Sequence, residues 1–211
     1  MEQPIYKYMM KRYALKLLRS GEIKIGTLHG YRNIELLGPE VGDSDEGLKY
    51  LFTTGHTVID TAAPSDIPYF LKPHIHVSGE NRLQITAAKG VSASVEEPDS
   101  YVFCGTYEFD PVAMKLLGYD ACVKIISPSK FFHAITRKLA LVSYFLGPTK
   151  VDYLGRRFEH STDPGISPAF LKTPEYMHQK EIRVVWPSEN TIIKPVVVTA
   201  RKAAKVCEQI E

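Results

Sequence analysis

An α+β fold is predicted by three features of the 211-residue sequence. Strand-like and helical stretches are mixed without regular β-α-β alternation, which disfavours a doubly wound parallel sheet. The first half carries several short strand-like runs in succession, the pattern of an antiparallel meander. The second half is punctuated by four cap-plus-proline pairs, each a helix start. The expectation is one domain over residues 1–211, with mixed, mostly antiparallel sheets and flanking helices. That length builds one sizeable core and is short for two. No internal repeat or low-complexity linker divides it.

The elements follow in order. Residues 4–8 read as a short strand. Tyr13, Ala14, Leu17 and Leu18 fall at helical spacing, and Gly21 is a natural stop. Glu22 to Leu28 alternates with Ile23, Ile25 and Thr27 on one face, as a strand does. Gly38 to Gly47 is glycine-rich and acidic, and reads as a mobile loop. Strand-like runs follow at about Lys49–Asp60, His74–Ser78 and Arg82–Ala88, and again at Tyr101–Tyr107 and Ala121–Ile126. The helix starts are Asp110-Pro111, Ser127-Pro128, Ser167-Pro168 and Thr173-Pro174. The second leads into Phe132, Ile135 and Leu139, a one-faced apolar stripe. Late strands are expected at Lys180–Trp186 and Ile192–Thr199.

Composition narrows the function classes. With 44% hydrophobic and 24% charged residues, the chain sits near the globular average. A formal charge of +2 is too small to argue for nucleic-acid binding. A local basic groove stays open, although composition does not reveal one. Cys104, Cys122 and Cys207 are odd in number and include no C-x-x-C pair, so neither a disulfide scaffold nor a zinc knuckle is indicated. Cys104 and Cys122 lie in strand-like runs and read as small buried hydrophobes. No signal-peptide core and no apolar run of membrane-spanning length is present, which makes a reducing cytoplasm the expected setting. Phosphate-loop, Rossmann, H-E-x-x-H and G-x-S-x-G motifs are all missing.

Two polar clusters stand out. The first holds Lys7, Tyr8, Tyr31, Arg32, Glu35, Asp43, Asp45 and Glu46. Its glycines allow turns that aim carboxylates at a ligand, or the stretch is a solvated loop with an Arg32–Glu35 ion pair. The second holds Lys172, Tyr176, Glu181 and Arg183. On a strand over 180–186, Glu181, Arg183 and Val185 share one face, and Ile182, Val184 and Trp186 form the core face. The charged face is either a site or an exposed surface with a weak ion pair. His74 and His76 share a strand face but lack the third ligand a catalytic zinc needs. His133, on an amphipathic helix, packs or faces solvent. Tyr101, Phe103 and Tyr107 alternate like stacking aromatics of an RNA-binding sheet, but without flanking basic residues they read as core.

The order of Lys7-Tyr8, a strand ending at Tyr31-Arg32, Asp43 to Gly47, and Lys172, Tyr176, Glu181 and Arg183 resembles a group of uncharacterised bacterial and phage proteins that open on "YKY" and close on "E-x-R". More loosely, the layout is similar to the ADP-ribosyltransferase superfamily, with Lys7 at the place of the first-strand His or Arg, Tyr31 at the second-strand position and Glu181 at the late-strand carboxylate. The resemblance implies an ADP-ribosyltransferase-like enzyme of bacterial or phage conflict that takes NAD as co-substrate and modifies a nucleic acid or protein acceptor. Glu181 is then the catalytic carboxylate, stabilising cationic character on ribose. Tyr31 or Tyr176 stacks on nicotinamide, and Lys7, Arg32 or Arg183 holds the pyrophosphate. Glu35, Asp43 and Glu46 are pocket candidates. Glu181→Gln is expected to abolish activity with little change in melting. The alternatives are a non-catalytic nucleotide- or protein-binding module, and a metal-dependent nuclease using Asp43, Asp45, Glu46 and Glu181.

Overall fold

The computed structural model describes residues 2–60, 62, 67–75, 84–139, 142, 144–188 and 193–210. In chain order the elements are β1 (Ile5–Met9), α1 (Lys11–Ser20), β2 (Glu22–Thr27), α2 (Ile34–Leu37), β3 (Leu48–Phe52), β4 (Thr57–Asp60), β5 (Gln84–Ala87), β6 (Ser92–Glu96), β7 (Ser100–Thr106), α3 (Pro111–Leu116), β8 (Ala121–Ile125), α4 (Pro128–Thr136), β9 (Leu146–Lys150), β10 (Arg157–Glu159), β11 (Glu181–Pro187), β12 (Val196–Thr199), α5 (Arg201–Ala204) and β13 (Cys207–Ile210). Helices and antiparallel-rich sheets share one chain, so the α+β class holds.

Local chemistry accounts for most boundaries. Gly21 adopts the left-handed conformation (φ 75°) that ends α1, and Ile23, Ile25 and Thr27 are the buried face of β2. All four cap-plus-proline pairs do open helices. The α3 and α4 helices follow two of them, and 3-10 turns at Pro168–Phe170 and Pro174–Gln179 follow the others. The Asp110 carboxylate accepts from the backbone N–H groups of Val112 and Ala113, and Ser167 accepts from Ala169. Ser127 makes no side-chain cap. The Glu2 carboxylate instead accepts from the Ser129 N–H at 3.1 Å, so a remote acid caps α4.

Eight strands form the main sheet among the described residues, with path β12-β2-β7-β1-β8-β13, and β11 between β7 and β9. On one edge, β7 pairs antiparallel with β11 along its whole length, from Glu181↔Thr106 to Pro187↔Ser100. The other edge is divided. Tyr101 and Val102 pair with β2, and Thr106 pairs with β1. Between these partners the sheet forks, and Phe103, Cys104 and Gly105 have no ladder partner on that side, although Gly105 lies against Ile5 and Tyr6 of β1.

The core lies on one face of this sheet. Phe103, Val184 and Trp186 meet Phe131, Phe132 and Ile135 of α4, together with Leu17 of α1. Trp186 is fully buried, lies edge-on to Phe132 at 6.0 Å, and donates from Nε1 to Thr136 Oγ1 at 2.7 Å. The α4 stripe of Phe132, Ile135 and Leu139 is buried as its periodicity predicts. Phe103 packs in the core and Tyr101 packs against it, as the core reading has them, whereas Tyr107 lies past the end of β7 and outside that core, with the Lys150 ammonium 3.9 Å from the centre of its ring.

The predicted meander is different in detail. β3 pairs with β6 antiparallel and with β10 parallel, while β4 and β5 pair with each other. The Lys49–Asp60 run is therefore two strands belonging to two ladders. His74 lies in a 3-10 turn at Lys72–His74, not on a strand, and His76, its expected companion, lies outside the described residues. The last predicted strand begins at Val196, and Ile192 also lies outside the described residues.

Candidate functional site

The fork in the sheet positions the site. A carbonyl left without a ladder partner needs another donor. Lys7 supplies it, with Nζ donating to Cys104 O at 2.6 Å, while its ammonium stands 5.1 Å from the centre of the Phe103 ring. Lys7 alternates along β1 with the core residues Ile5 and Met9. It is thus a cation on a strand whose other residues of that set are apolar. Burial pushes its pKa below the ordinary lysine value.

A pocket opens at this fork. Its walls are Lys7 and Tyr8 of β1, Cys104–Thr106 of β7, Tyr31, Tyr119 and Glu181, with Lys172 and Gln179, and its cavity volume is about 70 Å³. A second cleft continues from Lys7, Tyr8 and Tyr119 toward Tyr13 and Lys24. Tyr31 sits on a 3-10 turn at His29–Arg32 rather than at a strand end. Its ring lies against Gly26, where a Cβ would stand 3.0 Å from the ring, so glycine makes that approach possible. The neighbouring Cys104, and then burial, raise the Tyr31 phenol well above its ordinary pKa. Burial pushes the Cys104 thiol up to about 12. Both groups are neutral near pH 7.

Glu181 enters β11 through Lys180, whose left-handed backbone (φ 45°) ends the Pro174–Gln179 turn. That conformation is uncommon for a residue with a Cβ. The predicted face of β11 is correct: Glu181 and Arg183 lie side by side, with Arg183 Nε donating to Glu181 Oε1 at 2.6 Å. The face is not exposed. Lys172 Nζ lies 2.9 Å from Glu181 Oε2, and Arg183 clasps both oxygens of Glu46 at 2.7 and 2.8 Å. Arg156 Nη2 lies 3.9 Å from Glu46 and 2.5 Å from Asp43. Lys172, Glu181, Arg183, Glu46, Arg156 and Asp43 thus alternate in sign, and each is 5% exposed or less. Burial alone would raise the Glu181 carboxyl, but Arg183 and Lys172 outweigh it and hold the pKa well below the usual range. Against the same cost of burial, Glu181 and Glu46 keep Arg183 charged.

Lys7, Tyr31 and Glu181, from distant parts of the chain, therefore share one concavity. The other candidates are placed elsewhere. Arg183 is committed to Glu46 and Glu181 and has no free edge for a pyrophosphate. Arg32 donates to Glu46 O and to Glu96 Oε1, both at 2.7 Å, so the Arg32–Glu35 ion pair does not form. Glu35 is exposed on α2. The Tyr176 hydroxyl donates to Gly42 O at 3.0 Å and its ring lies 4.9 Å from the Lys172 ammonium, so it braces the network instead of lining the pocket. Asp43 and Glu46 are buried network members, which replaces the mobile solvated loop with a packed turn. Among the described residues no group of three His, Cys, Asp or Glu side chains is arranged to hold a metal. Three of the four proposed nuclease carboxylates are instead neutralised by Arg or Lys. Sequence reasoning missed Arg156, Gln179, Thr106 and Tyr119 as neighbours of the site. Their proximity depends on long-range pairing that leaves no local pattern.

Searches of family models, curated proteins and solved structures find no match to this chain. Among the described residues no helix is long and apolar enough to cross a membrane.

Proposed function

We propose that the pocket at the fork binds NAD and that the protein is an ADP-ribosyltransferase-like enzyme. The observation that carries this reading is the meeting of an ionised carboxylate, Glu181, with a cation free of ion pairs among the described residues, Lys7, beside the Tyr31 ring. The residues fit such a ligand by chemistry. Tyr8, Tyr31 and Tyr119 offer rings to a base or nicotinamide, Lys7 offers an ammonium to phosphate, and Glu181 offers a carboxylate to a ribose hydroxyl. NAD would supply the nicotinamide glycosidic bond, whose cleavage develops positive charge on ribose. Glu181 is suited to oppose that charge because its neighbours keep it ionised, so no proton has to leave it first. A cytoplasmic setting, a role in bacterial or phage conflict and a nucleic acid or protein acceptor belong to the same reading.

A second reading rests on a specific observation. Both Glu181 oxygens already accept from Arg183 or Lys172, which favours a binding module in which the pocket recognises a nucleotide without cleaving it. Chromatographic detection of nicotinamide after incubation with NAD separates the two. The enzyme reading predicts release by the native protein, loss of at least tenfold in Glu181→Gln, and retention in Glu46→Gln, which weakens the same network without lining the pocket. No release from the native protein, with NAD still bound, selects the binding module.

A further inference from the structure

On the face opposite the fork, the α4 and α5 helices border a groove of about 930 Å³ open to solvent, lined by Ser129, Lys130, His133, Arg137, Lys202 and Lys205, with Ala134 and Val206 at its floor. None of the lining residues is acidic. Lys130, Arg137, Lys202 and Lys205 are all exposed. Lys130 feels the Glu2 carboxylate, which is itself bonded to Ser127 and Ser129 at the start of α4. The chain as a whole carries 26 basic and 24 acidic residues, so a wall of four cations with one acid, Glu2, at its rim is a local segregation that the net charge of +2 conceals.

We infer that this groove binds the phosphate backbone of a double-stranded nucleic acid. The inference is independent of the NAD reading, because no residue of the fork takes part. Lys130 on α4 and Arg137 just past its end are seven residues apart, roughly 10 Å along the helix axis. One strand of a duplex presents a phosphate about every 3.4 Å of axis, so a duplex lying along this row would set about three phosphates against it, with Lys202 of α5 and Lys205 just past its end on the other side. Complementing the helix dipoles explains only part of the pattern. Arg137 and Lys205 follow the last residues of their helices, where a cation is favourable, but Lys130 sits in the first turn of α4, where it is not. A membrane surface fits poorly, since the floor is small and at least half-buried and no large exposed apolar side chain lines the groove for insertion. Unpaired bases fit poorly too, because no Phe, Tyr or Trp is present to stack on them.

Fluorescence anisotropy with labelled 20-base-pair DNA and RNA duplexes tests the inference. At low salt, binding to at least one duplex is expected. Log affinity should fall against log salt with a slope of roughly −3 to −4, about −0.9 per neutralised phosphate. Arg137→Glu/Lys202→Glu/Lys205→Glu should weaken binding at least tenfold and flatten the slope. Lys202→Gln/Lys205→Gln, a milder change at exposed positions, should weaken it severalfold with the melting temperature unchanged. No salt-dependent duplex binding, variants that bind as the native protein does, tighter binding to a single strand, or capture by phosphatidylserine vesicles without duplex binding would each overturn it.

Discussion

The two faces of β11 are built on opposite principles. Val184 and Trp186 pack into the apolar core against α1 and α4, whereas Glu181 and Arg183 on the other face join a buried alternation of charges. The apolar face gains by leaving water, and its partners are interchangeable within limits of volume. The charged face gains little net energy from burial, since desolvation offsets most of the attraction, but each member is intolerant of losing its partner. The contrast teaches that the charged face is kept for placement. It fixes Glu181 at the edge of the pocket, and it does so with three positive and three negative groups that cancel.

Substitutions on the two faces sharpen this contrast. Arg183→Met is expected to have the largest effect, ~3–5 kcal/mol or more by urea unfolding, because it leaves Glu46 without its bidentate partner and Glu181 with Lys172 alone. A loss under about 1 kcal/mol would show that the network is not coupled. Trp186→Ala on the apolar face should cost ~3–5 kcal/mol through the lost ring and the cavity left behind. Unlike Arg183→Met, its cost should be insensitive to pH. Glu181→Gln comes next, at about 2 kcal/mol, since Gln keeps the hydrogen-bonding shape but not the charge. This revises the expectation drawn from the sequence that the substitution would leave melting nearly unchanged. Activity lost in that variant must therefore be judged against Glu46→Gln.

Acid should expose the same difference more gently. The folded-state pKa of Glu181 lies below its unfolded value, so its contribution is complete above the ordinary carboxylate range near pH 4 and is lost as pH falls through and below it. Asp163, held low against burial by Tyr69 and Lys49, has the same sign. Melting temperature followed from pH 7 to pH 3 should fall steeply in the native protein and less steeply in Glu181→Gln. Parallel curves would mean that Glu181 is not held ionised by its neighbours.

How much of this was legible in the sequence follows from the same physics. Apolar periodicity reported α1, β2, α4 and the core face of β11, because a one-sided stripe is a local record of burial. Proline after a capping residue located four helix starts. The strands β6, β9, β10 and β13 were not legible, being short and without a buried alternating face. β9 is exposed throughout. The charged face of β11 was visible as a pair two residues apart, but whether it was solvated or buried depended on Glu46, Lys172 and Arg156. The Gly38–Gly47 stretch looked mobile because it is polar and glycine-rich. Arg156 and Arg183 make its acids part of the interior. The fork at β7 was invisible, since nothing in Phe103-Cys104-Gly105 announces that two strands part there.

The central claim is that the fork is a ligand site and that Lys7, besides satisfying the Cys104 carbonyl, is the cation that holds the ligand there. The folded-state pKa of Lys7 lies below its unfolded value, so burying its charge costs stability at neutral pH, and its bond to the Cys104 carbonyl offsets that cost. Calorimetric titration of NAD into the native protein and Lys7→Met, with melting measured alongside, is the direct test. The account predicts binding by the native protein and at least tenfold weaker binding by Lys7→Met, with a modestly lowered melting temperature because the Cys104 carbonyl loses its donor. Equal affinity in the two proteins, or no binding by either, would contradict it.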